Sequence, residues 1–460
     1  MTHDFFLLVN STYFLILRIN LNIKPHPMKL NFFMILFLMS MITFAQTDKQ
    51  RLERELFNMP NVSFTDVSKS GDPYLTYDLM VKQPLDHQHP EKGYFSQWVQ
   101  LRHKGFDKPV VMETHGYEMS RGRNEVEKIL DANNIGVEYR YFGKSVPDSV
   151  QWEYLTIEQA TADLHFVNQL FKQLYPGKWF STGISKGGQT TLYYKYFFPG
   201  DVDVAIPYVA PIDNAQEDKR IYTFLDTIGK PDCRQKIFEF QKFLLMNEEK
   251  ALEKMKWYAE GAKLKFSYTG NIAKAYEFTI LEYPFAFWQW GRSCDSIPTN
   301  KSLDTYLSEL LKTSKLSFFS DAEMKKYASH YYQAQETGYY SYNIEPLRKY
   351  IKQFSTNPSA IFAPKSAQSK SFDNDLYQNF QKWLDANGNN ILYIYGGIDT
   401  WSAARVHVSD QVNSKSFLIP GAHHGSARIK NLPEVMKVEF TGKIQEWTGI
   451  DCKMDVLKTK

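Results

Sequence analysis

"WFSTGISKGGQTTLYYKYF", Trp179 to Phe197, begins as an apolar run and ends as a helical pattern, with a serine hemmed in by glycines between the two. Gly183 lies two residues before Ser185, and Gly187 and Gly188 follow it closely. An ordinary loop serine needs no such surroundings. Glycine is demanded where neighbouring backbone leaves no space for a Cβ, so the stretch predicts a strand, a strained turn with Ser185 at its apex, and a helix leaving at once. Gly183 to Gly187 also matches the pattern G-x-S-x-G, which in a strand–turn–helix context is a nucleophile elbow.

Working outward, "PVVMETHGY" (Pro109 to Tyr117), "NIGVEYRYFG" (Asn134 to Gly143) and "VDVAIPYVAP" (Val202 to Pro211) read as strands with helical patterns between them. One helix opens at Thr156, where Thr156 and Gln159 have the spacing of a capping box and Ala160, Leu164, Val167 and Phe171 form an apolar stripe. Two earlier runs, Tyr74 to Val81 and Tyr94 to His103, predict an antiparallel pair around the turn-rich "QPLDHQHPEKG". Alternating strand and helix argues for a parallel sheet wrapped by helices. With the elbow, the expected fold is the α/β-hydrolase fold, a mostly parallel sheet with helices on both faces. The alternation stops after Pro211. A helical, charged and aromatic region occupies residues 214–385, and the first pattern returns with "NILYIYGGIDTW" (Asn390 to Trp401) and "SKSFLIPGAHHG" (Ser414 to Gly425). The expected organisation is a core at 60–213 and 386–460 with a helical lid or substrate domain inserted at 214–385.

A serine hydroxyl is a poor nucleophile until a base takes its proton, so a carboxylate and a histidine should follow in the order Ser, Asp, His. Asp399 lies just past an apolar strand, at the same predicted sheet edge as the elbow. The loop after the next strand supplies two candidate bases, His423 and His424, of which one is expected to act. His87, His89, His165 and His407 fall elsewhere and read as structural. The oxyanion hole is expected from the backbone N–H of Lys186 and a donor among His115, Gly116 and Tyr117, after "PVVMET".

Composition bounds the rest. With 460 residues, 43% hydrophobic, the chain has enough apolar material for a large core. A net charge of +3, from 54 basic and 51 acidic residues, gives no reason to expect nucleic acid or an anionic membrane as partner. No cysteine spacing suggests a zinc site, and no metal or cofactor is expected. Met28 to Gln46 has the basic start, short apolar run and small-residue end of a secretory signal peptide cleaved after Ala45, placing the mature chain outside the cell or in the periplasm without a membrane anchor. Residues before Met28 read as an N-terminal extension. In an oxidising compartment Cys233 and Cys294 are able to pair, leaving Cys452 single; three free thiols is the alternative.

"QPLDH" (Gln83 to His87), "EYRYFGKS" (Glu138 to Ser145), "YLTIEQATADL" (Tyr154 to Leu164), "GISKGG", "APID", "DTWS" (Asp399 to Ser402) and "GAHHGSAR" (Gly421 to Arg428) occur together and in order. As a set they resemble the prolyl carboxypeptidase and dipeptidyl peptidase II family of serine exopeptidases, and more closely its bacterial relatives described as serine aminopeptidases. The resemblance implies Ser185 as nucleophile, Asp399 as orienting carboxylate and His423 as base, with His424 and Arg428 at the spacing of a second histidine and its supporting arginine. It implies a peptide substrate cut near a free chain end, and a helical insertion that restricts access. Three positions depart from the family pattern: Lys186 stands where an aromatic residue is usual, Thr400 where proline is common, and "HGYE" replaces a glycine-asparagine pattern. The aromatic stretches "YPFAFWQWG" and "ETGYYSYN" are candidates for a pocket taking proline or a small side chain. Glu113, Glu118 and Glu138 are candidates to hold a substrate ammonium group. An esterase or lipase with the same three residues is the nearest alternative, and a non-catalytic binding protein on the same scaffold the next.

Overall fold

The computed structural model describes residues 47–354, 362–364 and 371–458. The expected signal peptide, Met28 to Ala45, lies outside them. The chain separates into a unit Met1–Leu52, described only from Thr47 as the start of the helix Asp48–Asn58, and a unit Glu53–Lys460 that holds the sheet and the helices around it.

Among the described residues the strands are β1 Val62–Asp66, β2 Leu75–Pro84, β3 Tyr94–His103, β4 Val110–Thr114, β5 Asn133–Val137, β6 Trp179–Ile184, β7 Val204–Tyr208, β8 Leu392–Gly396 and β9 Lys415–Ile419. They form one sheet in the order β1-β2-β3-β5-β4-β6-β7-β8-β9. The expected pair is present as β2 and β3, antiparallel with Leu75 opposite His103, and β1 adds to its outer edge. From β5 to β9 every pairing is parallel. These inner strands are buried almost throughout, as strands covered by helices on both faces must be. This is the α/β-hydrolase architecture.

β5 is shorter than its sequence suggests, because "EYRYFG" leaves the sheet after Val137. Glu138 explains the departure. Its buried carboxylate accepts from the Met119 and Lys144 N–H groups and the Ser145 hydroxyl, which curls the chain through positive φ at Tyr141 and Gly143. Next to it Arg140 is fully buried and grips both oxygens of Asp163 at 2.7 Å, while His87 reaches Asp163 Oδ1 at 2.7 Å. Gln159 accepts from the His87 N–H, so only the first half of the expected capping box forms, Thr156 accepting from the Gln159 N–H. The three motifs "QPLDH", "EYRYFGKS" and "YLTIEQATADL" thus meet in one polar knot, where Arg140 pairs with Asp163 and Glu138 is satisfied by three hydrogen-bond donors, as burial requires.

Between β7 and β8 the chain runs through helices. Ile272–Gln289 is buried on nearly all sides and carries Pro284, whose missing N–H leaves the Ile280 carbonyl without its helical donor. Gln241 of the helix Pro231–Met246 fills that place, Nε2 to O at 2.8 Å. A disulfide joins Cys233 to Cys294, with Cα atoms 5.5 Å apart. The last of these helices, Asn374–Asn387, packs on the sheet side of the boundary expected at Asp385: its Phe380 ring lies 4.4 Å from Tyr193 on the helix Lys186–Phe197. No helix among the described residues is long and apolar enough to cross a membrane.

Candidate active site

The C-terminal edge of the parallel strands collects the site. Ser185 sits between β6 and the helix Lys186–Phe197 with φ 59° and ψ −123°, a left-handed conformation that costs about 1–3 kcal/mol in a non-glycine residue. The surroundings hold it there. Its N–H donates to the Tyr208 carbonyl of β7 at 2.9 Å, and a Cβ on Gly183 would stand 2.3 Å from the Gly187 oxygen and 2.6 Å from the Thr114 oxygen. The glycines around the serine therefore answer a backbone contact between β4, β6 and the departing helix. Gly116, after β4, is pressed onto the same turn, and a Cβ there would meet Lys186 Cβ at 2.6 Å and the Gly187 nitrogen at 2.7 Å. The loop Gly116–Tyr117 and the Lys186 N–H are therefore neighbours, as an oxyanion hole needs.

Asp399 follows β8 and is fully buried. Its Oδ2 lies 2.7 Å from Nδ1 of His424, and its Oδ1 accepts from the Trp401 N–H at 3.3 Å. The two loops are bound by backbone, with the Ile398 N–H on the Ala422 carbonyl and the Gly397 N–H on that of Ile419. The histidine on Asp399 is thus His424, and the expectation of His423 in that place is corrected. His423 turns the other way: its Nδ1 accepts from the Gly425 N–H at 3.2 Å, its N–H donates to Ser426 Oγ at 2.9 Å, and its ring lies against Gly291. His424 is further fixed by its N–H on the Gln289 carbonyl at 3.0 Å, by the Trp290 ring edge-on at 6.1 Å, and by Arg428, whose Nη1 donates to the His424 carbonyl at 3.0 Å.

Ser185 and His424 line one cavity of about 540 Å³, together with Tyr117, Glu282, Tyr340 and Trp401. The expected aromatic stretches contribute Trp290, Tyr339 and Tyr340 to its walls, and Tyr340 packs on Trp401 at 4.8 Å. Glu282 belongs to none of the motifs read from sequence, although a carboxylate inside so apolar a helix was a signal. Its Oε2 accepts from Tyr340 and Tyr342 hydroxyls, both at 2.9 Å, and among the described residues no cation pairs with it. Burial raises its pKa to about 7, against the pull of the two hydroxyls. The carboxylates expected to serve an ammonium group are engaged elsewhere. Glu138 is spent on the turn after β5, Glu113 accepts from Asn124 and stands 3.5 Å from Arg102, and Glu118 is exposed, 3.8 Å from Lys326. Among the described residues no cluster of three metal-ligating side chains occurs.

The arrangement is suited to acyl transfer: a serine on a strained turn, an imidazole held in one orientation by a buried carboxylate, and backbone N–H groups beside the serine. The profile of the PS-10 peptidase S37 family matches residues 47–456. The chain is similar to prolyl tri/tetrapeptidyl aminopeptidase of Streptomyces mobaraensis, 30% identical over 423 residues, which are 89% of this chain and 87% of that protein. It is similar at 22% identity to lysosomal Pro-X carboxypeptidase of Homo sapiens over 367 residues, 68% of this chain and 73% of the other. Among solved structures, proline iminopeptidase of Mycobacterium smegmatis aligns with a TM-score of 0.32 and 15% identity, covering 75% of this chain and 91% of that one.

Proposed function

The chain belongs to the PS-10 peptidase S37 family and is a serine peptidase, and from that premise we propose that it is an exopeptidase releasing short peptides from the amino end of proline-containing substrates. Ser185 attacks the scissile carbonyl, His424 takes its proton and returns it to the leaving amine, and Asp399 orients the imidazole. The N–H of Lys186 and one N–H of the Gly116–Tyr117 loop receive the oxyanion. Water then releases the acyl group from Ser185 by the same proton path. The inserted helices act as the lid that limits entry to chain ends. Family membership sets aside the esterase and binding-protein readings.

Glu282 carries the choice of the amino end. A buried carboxylate that lines the cavity of Ser185, with both tyrosine hydroxyls on Oε2 and no cationic side chain among the described residues to neutralise it, suits an ammonium ion. The wall of Tyr340, Trp290 and Trp401 suits the flat ring of proline. The S. mobaraensis relative, an aminopeptidase by name, supports the same direction. The leader at Met28 to Ala45 and the disulfide support a secreted or periplasmic address.

Steady-state kinetics on a prolyl peptide with a free or an acetylated amino end test this reading. Ser185→Ala abolishes turnover. Glu282→Gln raises KM for the free peptide by about tenfold or more and leaves the acetylated one little changed, as loss of a buried charge-assisted contact would. With burial pushing the Glu282 carboxyl up to about 7, KM for the free peptide is expected to fall as pH rises through that value, until the substrate amine loses its own proton at about 8. A Glu282→Gln enzyme that still prefers the free peptide would sink the amino-end assignment.

A further inference from the structure

The residue after the nucleophile has a second feature that the reaction above leaves unused. The Lys186 side chain is buried, and its ammonium donates to Gln333 Oε1 at 2.7 Å and lies 3.6 Å from the centre of the Tyr139 ring. Tyr139 donates to the same Gln333 oxygen at 2.7 Å. Gln333 belongs to the inserted helix Ala328–Thr337, whereas Lys186 opens the helix that leaves the nucleophile turn. No carboxylate among the described residues comes within ion-pair distance of Lys186. A buried cation with no carboxylate at ion-pair distance carries a desolvation penalty that a methionine of similar length would not. It also projects a positive potential that low-dielectric surroundings do not screen.

We infer that the Lys186 side chain is a positioning residue for the reaction at Ser185: its ammonium ties the inserted helix to the nucleophile turn and holds a positive charge behind the Lys186 N–H that receives the oxyanion. The inference rests on the reading of Ser185 as nucleophile. The Gly116–Lys186 contact makes it physically direct, since a shift of Lys186 displaces both proposed oxyanion donors together. Few charges face this ammonium. Glu336, on the helix Ala328–Thr337, favours its protonated form, and His330 of the same helix is neutral, held at about 3 by burial and by Lys186 itself. The tyrosines 117 and 139 stay protonated because burial raises both, and Arg140 behind Tyr139 is matched by Asp163. Burial brings Lys186 down to about 7. The ammonium is present below that value and lost above it, so kcat is expected to show an alkaline limb near neutrality.

The test is the pH dependence of kcat at saturating peptide for wild type, Lys186→Met and Gln333→Glu, with Ser185→Ala run beside them. Lys186→Met is expected to lose about tenfold or more in kcat with KM within about threefold, and to lose the alkaline limb. Gln333→Glu places a carboxylate on the ammonium and moves the limb to higher pH. Should Lys186→Met fail to fold, judged by its thermal transition, Gln333→Glu decides, because it keeps the lysine. A limb that is absent in wild type, or unmoved by Gln333→Glu, overturns the inference and leaves Lys186 a packing residue. Turnover surviving in Ser185→Ala would instead remove the nucleophile assignment, so the two failures are distinct.

Discussion

At the scale of single residues the two adjacent histidines separate sharply. His424→Ala is expected to lower kcat by about 10³-fold or more, since it removes the imidazole that Asp399 holds at 2.7 Å. His423→Ala should stay within about tenfold of wild type, its ring serving the Gly425 N–H and the Gly291 backbone. Kinetics on the two purified variants check this, and a reversed order would return the role of base to His423. Sequence led to this pair because the strand before Asp399 and the loop after the next strand share an edge with Ser185. Spacing alone did not separate its members, and the family resemblance favoured His423, whereas it is His424 that meets Asp399. Which imidazole turns inward is set by the backbone path from Gly421, whose φ is +69°, and by Gln289 and Trp290, which arrive from far along the chain. Glu282 stayed hidden for a related reason: the tyrosines that define its role, Tyr340 and Tyr342, lie on a separate segment.

At the scale of elements, the helix Ile272–Gln289 depends on a neighbour to stay continuous past its proline. Gln241→Leu removes the donor from the Ile280 carbonyl and leaves a buried acceptor unpaired. The expected loss is about 1–3 kcal/mol, read by denaturant unfolding. Gln241→Leu should cost less in a Pro284→Ala background, where the helical donor is restored, than in the native chain, and an equal cost in both would refute the pairing. Long, strongly patterned elements such as β2, β3 and the helix from Ile157 were legible because periodicity and burial agree in them. β1 was not, because only part of one face is covered and its residues carry little apolar signal. "EYRYFG" misled for the opposite reason, its aromatic content suiting a strand while the Glu138 carboxylate dictates a turn.

At the scale of the whole molecule, the disulfide ties the start of the helix Pro231–Met246 to the segment that carries Trp290 and Gly291 against the two histidines. It closes a span of 61 residues, so the double variant Cys233→Ser, Cys294→Ser is expected to lose about 2–4 kcal/mol of stability. Calorimetry should show a lower transition, and kcat/KM should fall well below that transition as the histidine loop loosens. Unchanged activity in a destabilised variant would show that the tether supports the fold and not the site.

The remaining cysteine lends this tether a practical simplicity. Cys452 packs half-buried at the far end of the chain, and burial pushes its thiol up to about 12. At neutral pH so little of it is thiolate that exchange with the bonded pair is slow. Maleimide applied to the native protein should therefore leave it almost unmodified, and after mild reduction the first adducts should appear at 233 and 294, making alkylation a direct gauge of how far the bridge has opened.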